Sequence, residues 1–275
     1  MSCACIDGSL QALLKNDCMR TLNMSHCSID GKGGAILAEG LERNESLNRF
    51  IIDDNPLGLT AARLLMRASP KGNKERELSM LRCGCSNMAK EASVFDPSSP
   101  DGDYELDMTN PYSAVVLEHI IRHISSGTGV FGSKDPKLAG FAELDGRRWT
   151  CPAFNAVKEG RATLPTTGSL AFRFESVRRI AGEDDALGED EMQCIERLFK
   201  AATMGADREA LVNIITSGNT FLKSEQVGML MTKYMKSARE QVQLVSQCMF
   251  RIVDSSARKS LVGMMSPEAQ ARSSY

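Results

Sequence analysis

The chain has 275 residues, 42% hydrophobic and 25% charged, a composition that excludes wholesale disorder and a fibrous protein and is long enough to bury a core. With 33 Lys and Arg against 35 Asp and Glu, its net charge of -2 offers no basic field for a phosphate backbone, so nucleic acid is not expected as a partner. No stretch has the roughly 18 to 20 consecutive apolar residues of a membrane-spanning helix, and no targeting segment is recognisable at the start, so the expectation is a soluble, cytoplasmic chain with no membrane span. The 9 Cys are spread along the chain rather than clustered, which reads as reduced thiols.

In chain order, the first feature is a repeat. A shift of 28 residues lays Met19, Leu22, Met24, Cys27 and Ile29 over Leu47, Phe50, Ile52, Asn55 and Leu57. A second shift brings Leu78, Met80, Cys83 and Cys85 into the same columns, and a third brings Leu106 and Met108. Alternate apolar residues in each copy predict a short strand with one face inward, followed by a turn in which Asn or Cys hydrogen-bonds the backbone between copies. Gly33-Gly34-Ala35 before Leu37, Ala38 and Leu41, and Ala61-Ala62 before Leu64 and Leu65, predict a helix after each of the first two strands. Their small residues let the helix start come close to the turn.

Between Ser125 and Ser176 the pattern changes. Gly127, Gly129, Gly132, Pro136 and Gly140 punctuate a connection, Asp145-Gly146 signals a hairpin turn, and Leu170, Phe172 and Phe174 alternate as a strand. With Trp149 and Phe154, this hairpin is expected to cover the apolar edge of the last repeat. From about Gly188 the period is helical. Ile195, Leu198 and Phe199 begin one helix, Leu211 to Ile215 a second, and Val227 to Tyr234 a third that starts at the N-cap candidate Ser224. Val242 to Ile252 make a fourth and Leu261 to Met265 a short fifth, and because Leu211-Val212 and Leu244-Val245 lie 33 apart, two related helical hairpins are expected.

The run Leu22 to Leu47, with its Gly-Gly-Ala, Leu-Ala-Glu-Gly-Leu and Asn44-Glu45-Ser46-Leu47 segments, resembles a leucine-rich repeat of the ribonuclease-inhibitor type, over about residues 10–125. Phe95 to Met108 is similar to segments of large repeat proteins of flagellated protists, and Ser224 to Val227 with Ile252 to Asp254 resembles a helical family of unknown function. Together these imply an α/β fold: a short leucine-rich-repeat solenoid of about four coils over residues 1–125, a β-hairpin cap and connection over 126–176, and an all-α helical bundle over 177–275.

Candidate chemistry is sparse. Asp30-Gly31-Lys32-Gly33-Gly34 lacks the spacing and the Ser or Thr of a phosphate loop and reads as a repeat turn. His119 and His123 stand i, i+4, a spacing that suits zinc, but they sit at the polar margin of a helix whose other side is Ile120, Ile121 and Ile124. Cys83 and Cys85 fall on repeat columns, whereas Cys3 and Cys5 stay open as a metal or redox pair. Leu164 to Gly168 spells a cell-wall sorting signal without the apolar span and basic tail it requires. No catalytic residue, cofactor or metal ligand is therefore expected. The expected site is the open strand face, with His26, Arg49, Ile51, Asp53, Asp54, Ser79, Leu81 and Arg82 as partner-binding residues. The resemblance implies a non-enzymatic scaffold subunit that grips one protein on this face and docks a second on its helices, within a cytoskeletal, ciliary or organellar hetero-oligomer. The rival reading is an enzyme in the helical part built on Glu225, Arg251 and Asp254.

Overall fold

Alternation puts Leu22, Phe50 and Leu78 in one row, and that row orders the first part of the chain. The computed structural model describes residues 16–84, 94–132, 142–176, 181–254 and 258–273. Three strands, β1 (Thr21–Asn23), β2 (Arg49–Ile51) and β3 (Glu77–Ser79), pair in parallel with Leu22 opposite Phe50 and Phe50 opposite Leu78. Each is short, so the layer depends on what packs behind it. Helices α1 (Gly31–Arg43) and α2 (Gly58–Gly72) follow β1 and β2 and pack on one another, and the helix Glu189–Ala201 packs on β3. Asp30 starts α1 by accepting a hydrogen bond from the Gly33 N–H at 2.9 Å, an N-cap. A Cβ at Gly34 would stand 2.9 Å from the Ala61 Cβ, so the two helices approach as closely as they do only because residue 34 has no side chain.

The chain divides into two units, one drawn from Gly8–Val94 with Ile180–Tyr275 and the other from Phe95–Arg179. In the first, the helices α5 (Glu189–Ala201), α6 (Gly205–Ile215), α7 (Ser224–Tyr234) and α8 (Ala238–Cys248) follow the three strands, ahead of the short α9 (Arg258–Met264) and α10 (Pro267–Ser273). Helix α5 packs on β3 and on α2, and α6 also packs on α2. Arg67 of α2 meets Glu191 of α5 at 2.9 Å, while the other Glu191 carboxylate oxygen accepts from the Gly188 N–H and so starts α5. Helices α6 and α8 are joined by a buried ion pair, Arg208 to Glu240 at 2.7 Å, and Arg208 also donates to the Ala202 and Thr203 carbonyls.

The second unit is an antiparallel sheet with helices. Its strands are β4 (Gly102–Asp107), β5 (Gly129–Gly132), β6 (Ala142–Leu144), β7 (Arg147–Trp149) and β8 (Ser169–Ser176), with α3 (Pro111–Ser125) and the short α4 (Phe154–Lys158). Strand β8 is central: β4 runs along one edge, while β6 and β5 share the other. The β6–β7 hairpin turns at Asp145 and Gly146, both at positive φ, the conformation that a two-residue hairpin of this type requires. The inner row of β8, Leu170, Phe172 and Phe174, is buried, with Phe172 against the Tyr104 and Phe131 rings at 5.1 Å.

This architecture corrects the expected solenoid with a hairpin cap and a following all-α bundle. Among the described residues the parallel sheet has three strands, not four coils, and the fourth copy, with Leu106 and Met108, falls on β4 of the antiparallel sheet and the residue after it. A strand with alternate apolar residues suits parallel or antiparallel neighbours equally, so a column match cannot tell which sheet it joins. Phe172 and Phe174 build the core of their own unit, Trp149 and Phe154 are half-buried, and it is α5 that lies against β3. The helices after residue 180 share a unit with the three strands instead of forming a domain apart.

Candidate interaction face

Three turn residues, His26, Asp54 and Arg82, sit at equivalent places after β1, β2 and β3, all at φ between 54° and 56°. The left-handed conformation is uncommon outside glycine, and here it is imposed three times by the same turn. It sets the three side chains in a ladder. The Arg82 guanidinium grips the Asp54 carboxylate through two hydrogen bonds of 2.7 Å, and the His26 Nε2 lies 3.3 Å from Asp54 Oδ2, one of the two oxygens that Arg82 holds. Hydrogen bonding to Arg82 holds the Asp54 carboxyl below its ordinary range, and the Asp54 carboxylate in turn raises the Arg82 guanidinium.

Below the ladder, Asp53 accepts from the Ser79 hydroxyl at 2.7 Å and from the Leu81 N–H at 2.8 Å. Arg49 on β2 stands 3.5 Å from Glu77 on β3, both well exposed. Ile51, Ser79 and Leu81 are half-buried. The eight residues read from the sequence therefore do fall on one face and its adjoining turns, but with divided tasks. Asp53 and Ser79 satisfy one another, while His26, Arg49 and Arg82 reach solvent.

Behind the face lies a buried hydrogen-bond row. Asn55, 1% exposed, accepts from the Cys27 and Ile29 N–H groups at 3.0 Å and donates to the Met24, Ile52 and Asp53 carbonyls. Cys83, at the equivalent place in the next copy, donates its thiol to the Ile52 carbonyl at 3.3 Å. Sequence reasoning found this column but missed Arg76. The Arg76 side chain is fully buried and donates to the carbonyls of Leu41, Leu47 and Ser69 at 2.8 to 3.0 Å and to that of Asn44. Burial pushes its guanidinium down to about 10. A lone Arg beside a turn carries no signal of this, since Arg is ordinarily a surface residue.

Both ring nitrogens of His123 are engaged, Nδ1 with the Thr128 hydroxyl at 3.0 Å and Nε2 with the Pro97 carbonyl at 2.9 Å, and the His119 ring lies 5.9 Å from that of Phe95. Among the described residues no three His, Cys, Asp or Glu side chains gather to hold a metal ion. Cys3, Cys5 and Cys85 lie outside the described residues. Burial raises the Cys83 and Cys248 thiols to about 12 and that of Cys194 to about 11, which leaves them protonated and poor nucleophiles at neutral pH.

Of the residues for the rival reading, Asp254 accepts from the Ser224 N–H at 2.7 Å and from the Ser224 hydroxyl. Ser224 is the first residue of α7 rather than its cap, and Gln226 reaches back to accept from the Lys223 N–H at 2.8 Å. Burial would raise the Asp254 carboxyl, but the Ser224 hydrogen bonds outweigh it and hold the group low. Arg251 donates to the Gly218 carbonyl, and Glu225 is exposed. Asp254→Ala is expected to cost about 1–2 kcal/mol, the worth of a helix-start partner, measured by urea unfolding; an unchanged midpoint would show that the contact contributes nothing. Because the carboxyl is depressed on folding, this contribution is present above pH 3.8 and fades as pH falls through the lower folded value.

Comparison with protein-family models, with curated proteins and with solved structures finds no match. Among the described residues no helix is long and apolar enough to cross a membrane.

Proposed function

We propose that this chain is a non-enzymatic interaction subunit that holds a partner protein on the open face of the β1–β2–β3 sheet, as part of a larger cytoplasmic assembly of cytoskeletal, ciliary or organellar kind. The observation that carries the reading is the ladder His26–Asp54–Arg82 beside Arg49, Ile51 and Leu81: charged groups held in place by one another next to half-buried apolar side chains. Such preordering lowers the entropy cost of binding, and the mixture of charge with apolar surface suits a protein interface more than an enclosed small-molecule site. The likeness of Leu22 to Leu47 to repeats that bind proteins supports the same conclusion.

The test uses the full chain in its native extract with a photo-crosslinking phenylalanine in place of Ile51, and a second chain labelled at the exposed Glu209 as the reference. A discrete adduct should form from position 51 alone and disappear when Arg49→Glu and Arg82→Glu are added, with circular dichroism showing that the fold is kept, because exposed ion pairs contribute little to stability. Equal labelling from position 209, or an adduct indifferent to both charge reversals, would reject the reading.

A further inference from the structure

The β6–β7 hairpin of the second unit ends in the run Arg147-Arg148-Trp149-Thr150. Five hydroxyl residues of the chain have an arginine three places before them, Ser46, Ser79, Ser125, Thr150 and Ser176, but only Thr150 has a second arginine two places before it. The other four hydroxyls are in use. Ser46 donates to the Asn16 carbonyl at 3.0 Å, Ser79 to Asp53 at 2.7 Å and Ser176 to Asp101 at 2.9 Å, while Ser125, in the last turn of α3, accepts from the Phe154 N–H at 2.9 Å. Thr150 is exposed, and among the described residues its hydroxyl makes no hydrogen bond.

The backbone here is already extended, as a segment laid into an enzyme's groove must be. Strand β7 carries both arginines, pairs among the described residues with β6 alone, and ends at Trp149, so Thr150 stands one residue past the ladder. Beyond it, Pro152 has no N–H to continue a ladder, and Ala153 is still extended at φ -65° and ψ 139° before α4 begins at Phe154. Alternation sends Arg147 and Arg148 to opposite sides, with Arg148 on the side of Thr150, and at about 3.3 Å per residue Arg147 lies about 10 Å from the acceptor. Both arginines are exposed, so each guanidinium can be met by a separate carboxylate of a binding groove, which takes the planar fork bidentately. Charged residues on an edge strand also keep sheets from joining, but that task requires neither adjacent arginines nor an unengaged hydroxyl two residues further on. We propose that Thr150 is the acceptor of an arginine-directed serine/threonine protein kinase that uses ATP. The Thr150 hydroxyl oxygen forms a bond to the γ-phosphorus as the bond from that phosphorus to the bridging oxygen of the β-phosphate breaks; ADP leaves, and the hydroxyl proton passes to the catalytic aspartate of the kinase. The product adds a charge of about -1.5 to -2 beside the hairpin.

This site lies in the second unit and does not depend on the strand-face reading. The full chain is incubated with ATP and the purified catalytic subunit of cyclic-AMP-dependent protein kinase, and separately with ATP in the native extract, and phosphate is mapped by tandem mass spectrometry. The purified kinase should modify Thr150 to near completion, and the extract should modify the same residue until an arginine-rich inhibitor peptide with alanine at the acceptor place is added. Thr150→Val should lose the modification. Arg147→Ala with Arg148→Ala keeps the hydroxyl and should lower kcat/KM about a hundredfold, the worth of two charge-assisted pairs in recognition. Unfolding would free the segment and raise the rate, so a fall reports lost recognition and not lost structure. Modification of Thr150 only after unfolding in urea, an equal rate in the double arginine variant, or phosphate on Ser46, Ser79, Ser125 or Ser176 in its place overturns the proposal. So does modification by the purified kinase that the extract fails to reproduce.

Discussion

Arg76→Met should be the most damaging single change in the first unit, lowering stability by about 3–5 kcal/mol and the thermal midpoint by roughly 6 to 20 °C. The position of the guanidinium is the cause. It stands with no solvent exposure where the ends of α1 and α2 meet the start of β2, and its N–H groups reach the carbonyls of Leu41, Asn44, Leu47 and Ser69. Leu41 and Ser69 belong to the last turns of their helices, whose carbonyls have no partner inside the helix, and Pro70 sits in the final turn of α2. One planar fork thus closes two helix ends and a strand entry together. Methionine fills the volume but donates to none of the four oxygens, of which the Leu47 carbonyl keeps the long contact to the Asn73 side-chain amide at 3.4 Å. Arg76→Lys keeps the charge yet concentrates three donors at one point, so it should recover only part of the loss. Differential scanning calorimetry of the three chains checks the order Arg, Lys, Met. A methionine variant within about 1 kcal/mol of the parent would mean that the carbonyls find water instead.

Asn55→Ala follows, with an expected cost of about 2–4 kcal/mol: the Cys27 and Ile29 N–H groups and the Met24 carbonyl lose their Asn55 partner inside the turn row, while the Ile52 carbonyl keeps the Cys83 thiol and the Asp53 carbonyl the His26 N–H. A stability measurement alone would not distinguish this from a lost methylene contact, so hydrogen exchange is the sharper readout. The Cys27 and Ile29 amides, both bonded to the Asn55 carbonyl oxygen, should lose protection while the amides of α7 keep theirs. Asn55→Asp preserves the acceptor for those two amides but removes the donors and buries a charge, so it should protect them and still destabilise. Protection unchanged in Asn55→Ala would remove the turn row from the account of what holds the three strands in register.

The ranking of these two residues shows which parts of the molecule were open to sequence reasoning. Asn55 could be found because it recurs in a column, with Cys27 and Cys83 at the same place 28 residues before and after. Arg76 could not, because its partners are main-chain oxygens, and main-chain oxygens leave no mark on residue type. The site residues divide in the same way. His26, Asp54 and Arg82 were placed on one face by spacing, but the pairing of Arg82 with Asp54, and the use of Asp53 by Ser79 and Leu81, depend on turn geometry. The residues of α5 lie more than a hundred positions from β3, and only the packing of the folded chain brings them to it.

From the residues alone came the local periods: the alternation of the short strands, the helical stretches from residue 189 onward, the Asp145–Gly146 hairpin turn and the inner row of β8. These are properties of neighbouring residues, fixed by whether a side chain faces in or out. Which sheet a strand joined, and what closed its edge, was decided by tertiary structure: β4 kept the spacing of the earlier copies and still paired antiparallel with β8, while α5 packed on β3. Inward and outward alternation is common to every sheet, whereas strand direction and neighbour are chosen by contacts between residues far apart in the chain.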